Sequence, residues 1–302
     1  MVLDLLIPKS LGEAVALWVT EKGIHQCSKR TIDFYRYNMR PFLERFDAES
    51  EVHAISPDQV REFFALESQR LRGKAHTLHA EYRTVRAFFS WAQANRYVLE
   101  NPVQLPAPQL PQRVKPIIEP QDFACILRHC DNTVIGRRDR AILMLFYDTG
   151  IRLQEMADLK LADIDIAESR ITVHGKGNKY RVVPLSENVL AAVWEWLKVR
   201  QSILPALWLG EEGQPLTASG IQQAVKRVTR RALGKPLGTH IFRHSFSCLF
   251  LEAGGDSFDL QTLLGHSSLR TTQGYSEATK VRRALKAHER YSPVGRLDWG
   301  KR

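Results

Sequence analysis

Cysteine is scarce in this chain: four among 302 residues, at Cys27, Cys125, Cys130 and Cys248. No two of them stand as Cys-x-x-Cys, which argues against a zinc ribbon and against a disulfide framework. A reduced, cytosolic setting fits that usage. Long apolar runs are also missing. The longest uncharged one, Ala141 to Tyr147, falls far short of the ~20 residues a membrane helix needs. The first ten residues carry Asp4 and lack a basic start before an apolar run, so no secretory signal is expected. There is no His-Glu-x-x-His pair for a metalloprotease zinc. The Gly175-Lys176-Gly177 stretch lacks both the upstream glycine and the following Ser/Thr of a nucleotide-binding P-loop. The Gly-x-Ser-x-Gly elbow of the serine hydrolases is absent as well.

What is abundant is positive charge. Lys and Arg number 43 against 33 Asp and Glu, a formal net charge of +10. A surplus of that size favours a polyanionic partner. It is unevenly placed: residues 1–101 carry 14 basic and 13 acidic side chains, and residues 121–302 carry 27 and 19. The length predicts two domains, and one segment is suited to divide them. Six prolines (Pro102, Pro106, Pro108, Pro111, Pro116 and Pro120) fall within nineteen residues, a composition that cannot continue a helix and prefers an extended, semi-rigid path. The expected layout is an N-terminal domain over 1–101, a linker over 102–117 and a second domain over 118–302.

The first domain reads as helical throughout. Ser10 caps a helix with Leu11, Val15 and Val19 on one face. A second spans about Ser28 to Phe46, where Pro41 predicts a kink or an early end. Ser56-Pro57 opens a third through Val60, Phe63, Phe64 and Leu71, and a fourth runs from about His76 to Asn95. Four amphipathic helices in this length predict a small all-α bundle. Lys29, Arg30, Arg36, Lys74, Arg83 and Arg86 lie on these helices.

The second domain mixes elements. Helices are expected at Asp122–Cys130, Arg137–Asp148, Glu187–Leu204, Ser219–Leu233, Thr239–Ala253, Ser257–Leu264 and Ser276–Arg290. Three short strands, Ile164–Ile166, Arg170–His174 and Tyr180–Pro184, are separated by turn residues and predict a small three-stranded antiparallel sheet. Lys226, Arg227, Arg230 and Arg231 make a basic stripe on one of the helices.

Five groups could carry chemistry. Arg152 and Glu155, three apart after Gly150, share a helix face. Lys176 sits at a glycine-rich turn between two strands. His240, Arg243 and His244 are spaced three and four apart. Gly265-His266 follows a helix end, and Tyr275 stands nine residues later. Taken singly, each has a structural reading: a salt bridge, a solvated lysine, a packed histidine, a C-cap, a packing tyrosine.

Taken in order, they resemble the tyrosine recombinase (phage integrase) family. The pieces that carry the resemblance are TGIRLQE at 149–155, VHGKGNKYRVVPL at 173–185, THIFRHSF at 239–246 and LQTLLGHSSLRTTQGY at 260–275. Asp148, Ser247-Cys248 and Gly274 depart from the family's usual residues. The resemblance implies a core-binding (SAM-like) N-terminal four-helix bundle and a catalytic C-terminal domain. It implies strand cleavage by Tyr275 on a DNA phosphodiester, with Arg152 and Arg243 holding the phosphate and Lys176 as acid for the leaving 5′-oxygen. His240 and His266 would add hydrogen bonds or accept the phenol proton. Glu155 would orient Arg152 or the neighbouring histidines, and His244 would be mainly structural. No cofactor or metal is implied. The implied partners are double-stranded DNA sites and three further copies in a homo-tetramer on two duplexes, possibly with a related recombinase. The segment Ser276 to Arg290 would be exchanged between copies, or pack on its own domain. DNA contact is expected from Lys226, Arg227, Arg230 and Arg231 and from Lys29, Arg30, Arg83 and Arg86, in a cytoplasmic, nucleoid-associated protein. The competing functions are type IB topoisomerase-like relaxation and a non-catalytic DNA-binding regulator.

Overall fold

Serine caps open the first three helices, at Ser10 and Ser56 as the sequence predicts and also at Ser28. The computed structural model describes residues 6–25, 27–111, 116–175, 179–265 and 279–280. In it α1 (Leu11–Ile24) starts where the Ser10 hydroxyl accepts the Glu13 N–H, and α2 (Lys29–Arg45) where Ser28 accepts the Thr31 N–H. At the start of α3 (Pro57–Arg70), Ser56 and Gln59 cap each other reciprocally, which satisfies two orphan N–H groups at once. α4 covers Ala75–Ala94. These helices enclose a core of Trp18, Met39, Phe42, Phe63, Phe64, Tyr82, Phe88 and Phe89. Its rings meet mostly edge to face, as Phe42 does on Phe63 at 5.1 Å and 80°.

Pro41 neither ends α2 nor shortens it; the helix continues to Arg45. The ring removes a single N–H. The carbonyl it leaves over belongs to Tyr37, which is 73% exposed, so water can take its place.

The chain forms two compact units, Met1–Arg113 and Val114–Arg302. Val103 and Leu105 pack into the core of the first unit, and Ile118 into that of the second. The second unit holds α5 (Pro120–Arg128), α6 (Val134–Thr149), α7 (Leu153–Asp158), strands β1 (Ile164–Asp165), β2 (Arg170–Gly175) and β3 (Lys179–Pro184), then α8 (Glu187–Val199), α9 (Ala218–Leu233), α10 (Thr239–Glu252) and α11 (Ser257–Leu264). The sheet is antiparallel in the order β1-β2-β3. Ile171 faces Val183 and Val173 faces Arg181 across β2 and β3; Ile171, Val173 and Val183 are buried, while Tyr180 and Val182 point outward.

Two helix boundaries differ from the sequence expectation by three residues or more, each for a visible reason. α6 begins at Val134, before Arg137, because Thr133 caps it through the Gly136 N–H. α8 stops at Val199, short of Leu204. The Arg200 guanidinium there binds the carbonyls of Ser202, Leu204 and Ala206 and curls the chain away. α7 is the helix expected after Gly150 to carry Glu155, and Arg152 stands at its N-cap.

Two further contacts position the core helices. The backbone of Ile118 donates to the Ser245 hydroxyl and accepts from the Tyr147 hydroxyl, tying the entering chain to α10 and α6. Asp148, one of the departures from the family pattern, accepts the Ser186 N–H at 3.0 Å and so steadies the start of α8.

Candidate active site

Helices α6 and α11 both end in left-handed glycines, Gly150 at φ 60° and Gly265 at φ 61°. A Cβ on Gly150 would lie 2.6 Å from the Phe246 ring and 2.9 Å from Leu264. Glycine is therefore needed there for both conformation and space, and it lets the end of α6 close against α10 and α11. The outcome is a set of helix C-terminal carbonyls in one place. Such carbonyls lack helical partners and carry the negative end of the helix dipole, so the site attracts cations.

Three arginines occupy it. Arg243, only 5% exposed on α10, donates to the Gly150 carbonyl at 2.7 Å and to the Leu264 carbonyl at 3.0 Å. Arg152, at the N-terminus of α7, reaches the same Leu264 carbonyl at 3.4 Å. Its side chain is 41% exposed. Arg181 on β3 donates through Nε to the Leu263 carbonyl at 2.7 Å. Two guanidinium groups thus converge on one carbonyl oxygen while a third grips the neighbouring one.

Among the described residues, one carboxylate binds two of them. Glu155, nearly buried, accepts the Arg152 backbone N–H at 2.7 Å and the Arg152 guanidinium at 2.8 Å. Arg181 holds both of its oxygens, at 2.9 and 2.7 Å, a fork-to-fork pair that fixes orientation as well as distance. Burial alone would raise the carboxyl pKa. The hydrogen bonds from Arg181 and from the Arg152 backbone, with the Arg181 charge, outweigh it and hold Glu155 down at about 2. Among the described residues, Glu155 is the carboxylate that meets this group, and it bonds Arg152 and Arg181.

Of the residues picked out in the sequence, the structure brings Arg152, Glu155 and Arg243 together. His240 lies exposed in the first turn of α10, near its N-terminus, and His244 is buried with its ring nitrogens 3.9 Å from the Cys248 sulfur. Lys176, His266, Tyr275 and the segment Ser276 to Arg290, apart from Thr279 and Lys280, lie outside the described residues. Arg181 was not picked out. Its signal was present: it stands in register with the inward positions Val183 and Leu185, and an arginine in that phase requires a buried acid.

The basic residues separate by environment. Arg230 and Arg231 are exposed at the end of α9, and Lys226 is half-buried. Arg227 is held by Asp139 at 2.6 Å, and Asp139 is itself buried against Arg138. In the first unit Lys29 and Arg30 are exposed on α2. Arg83 and Arg86 line a groove with Phe34, Tyr35 and Ser90, and Arg86 donates to the Tyr82 hydroxyl at 2.8 Å. Among the described residues no cluster of His, Cys, Asp and Glu could hold a metal ion, and no helix is long and apolar enough to cross a membrane.

Arginines gathered at helix ends, on a helical domain with one small sheet, stand beside a family match. The model of the phage integrase family matches residues 116–282, and the chain belongs to that family. Its relatives include tyrosine recombinase XerC of Xylella fastidiosa (strain 9a5c), 31% identical over 265 residues that cover 85% of this chain and 87% of the relative. Tyrosine recombinase XerC of Pseudomonas aeruginosa PAO1 is 32% identical over 293 residues, 91% of this chain and 94% of the relative. Among solved structures, the Tn1549 transposon integrase in complex with transposon right end DNA matches with TM-score 0.74 at 20% identity, over 94% of this chain and 100% of that one. The XerH site-specific recombinase bound to its palindromic difH substrate matches with TM-score 0.70 at 22% identity, over 85% and 79%. The activity of this chain is that of a tyrosine recombinase: site-specific recombination through a covalent tyrosine intermediate.

Proposed function

We propose that this chain cuts and rejoins duplex DNA with Tyr275 as nucleophile. The phenol oxygen attacks the phosphorus, the bond to the 5′-oxygen breaks, and a 3′-phosphotyrosine and a free 5′-hydroxyl result. A 5′-hydroxyl from the partner strand then reverses the step. One phosphodiester replaces another, so no energy source is consumed.

The convergence of Arg152 and Arg243 on the Leu264 carbonyl supports this reading. In the pentavalent state the non-bridging oxygens gain negative charge. Two guanidinium groups fixed from behind meet that charge without reorganising, and pre-placed donors of this kind are typically worth about 3–4 kcal/mol each. Glu155 orients Arg152. His240 and His266 add hydrogen bonds or take the phenol proton, and His244 serves packing. Lys176 protonates the departing 5′-oxygen. The cationic surroundings also ease ionisation of a phenol whose ordinary pKa is near 10.

The first unit acts as the family's core-binding, SAM-like four-helix bundle, with residues 102–117 as linker to a catalytic domain over 118–302. Lys29, Arg30, Arg83 and Arg86 on one unit, and Lys226, Arg230 and Arg231 on the other, contact phosphates, while Arg227 anchors the stripe through Asp139. Four copies on two duplexes complete the reaction, the segment after Tyr275 passing between copies. The setting is the cytoplasm, on the nucleoid.

A nicked suicide duplex, selected from a random library for tight binding, tests the assignment. The wild-type chain should form a denaturant-resistant adduct, and Tyr275→Phe should bind equally well and form none. An adduct with Tyr275→Phe would remove the tyrosine from its role.

A further inference from the structure

We propose that Arg181 is a positioning residue for strand cleavage, setting the Arg152 guanidinium through Glu155 and locking strand β3 to the end of α11. This rests on the reading that Arg152 holds the reacting phosphate.

The geometry is specific. Arg181 uses both terminal nitrogens on the two oxygens of Glu155 and its Nε on the Leu263 carbonyl. Glu155 passes that constraint to Arg152 through the backbone N–H and the guanidinium. The close approach also needs Gly265, where a Cβ would lie 3.1 Å from the Arg181 side chain. One arginine thus joins three chain segments. In the sequence, β3 follows Lys176, α7 begins beside Arg152, and α11 ends just before His266. Any shift of β3 against α11 would move Glu155 and with it Arg152. A displacement near 1 Å at such a site costs on the order of 100-fold in rate.

Glu155 makes this role separable from a purely structural one. Among the described residues, the charges facing its carboxylate are Arg152, at the start of its own helix, and Arg181 of β3; Arg243 of α10 reaches the Leu264 carbonyl beside Arg152. α11 contributes backbone carbonyls, and β2 and α9 pack behind α7 through the apolar Ile171, Val173, Ile221 and Val225. With Arg181 removed, burial prevails over the remaining Arg152 bonds and the Glu155 pKa rises. A carboxylate with raised pKa loses its charge as pH falls through the new value, and Arg152 then loses its orienting partner.

The test measures single-turnover cleavage of the nicked duplex at saturating protein, between pH 5 and 8, for the wild type, Arg181→Gln, Arg181→Lys and Arg152→Ala. Arg181→Gln should bind DNA as the wild type does, cleave about 100-fold more slowly at pH 7, and show a rate falling further toward pH 5. The wild type, with Glu155 ionised throughout, should lack that additional fall. Arg181→Lys should recover part of the rate, because it restores one charge without the fork. A wild-type rate in Arg181→Gln overturns the proposal. So does a slow Arg181→Gln with an unchanged pH profile and no recovery in Arg181→Lys, which marks a merely structural residue. Unimpaired cleavage by Arg152→Ala would instead remove the underlying reading. Should Arg181→Gln fail to fold, as judged by its melting transition, the Arg181→Lys rate and pH profile decide on the same terms.

Discussion

Single side chains in this protein do their work through what holds them from behind. Arg243 is buried and donates to two helix-end carbonyls, so its guanidinium is fixed before any substrate arrives. Lysine at that position presents one ammonium where the arginine presents a planar fork, and it cannot span the Gly150 and Leu264 oxygens together. Arg243→Lys is therefore expected to keep DNA affinity and lose about 10²- to 10³-fold in cleavage rate, measured by single-turnover adduct formation. Arg152, Glu155 and Arg243 were legible in the sequence because the family's motifs surround them. Arg181 lies in such a motif too, in phase with the buried Val183, but nothing local names the acid it meets. Only the register, which puts it opposite Val173 and in phase with Val183, brings it to Glu155.

Helix contacts also create a titrating pair in the first unit. α3 and α4 meet through Glu67 and Glu81, both buried, with Arg70 bonded to each. Burial, and then the neighbouring Glu67 carboxylate, push Glu81 up to about 7. A carboxyl raised above its unfolded value near 4.3 lends stability that is complete below that value and lost as pH rises through 7. The first unit should accordingly melt at lower temperature at pH 8 than at pH 5.5. Glu81→Gln should flatten that dependence and raise the pH 8 transition in a thermal melt of the full chain. The helices themselves were readable from Ser10, Ser28 and Ser56 and from apolar spacing. Their exact ends were less so: Thr133 extended α6, and Arg200 ended α8 early, through side-chain bonds that periodicity does not contain.

For the molecule as a whole, the excess of basic residues sets the mode of DNA binding. Affinity should fall linearly on a log–log plot against salt, and each phosphate contact removed should lower the slope by about 0.9. Filter binding or fluorescence titration should show that decrease for Arg230→Ala. Arg227→Ala should instead lower the melting temperature, because it strips one partner from the buried Asp139. Composition and pattern alone determined the mostly helical class, the small sheet, the proline-rich join and the order of the reactive residue types, since these depend on local propensity and spacing. Tertiary structure decided which carbonyls face which arginines. That outcome depends on two helix ends closing over Gly150 and on a strand register that delivers Arg181 to Glu155, and such distances arise only when segments from 26 to 112 residues apart pack into one core.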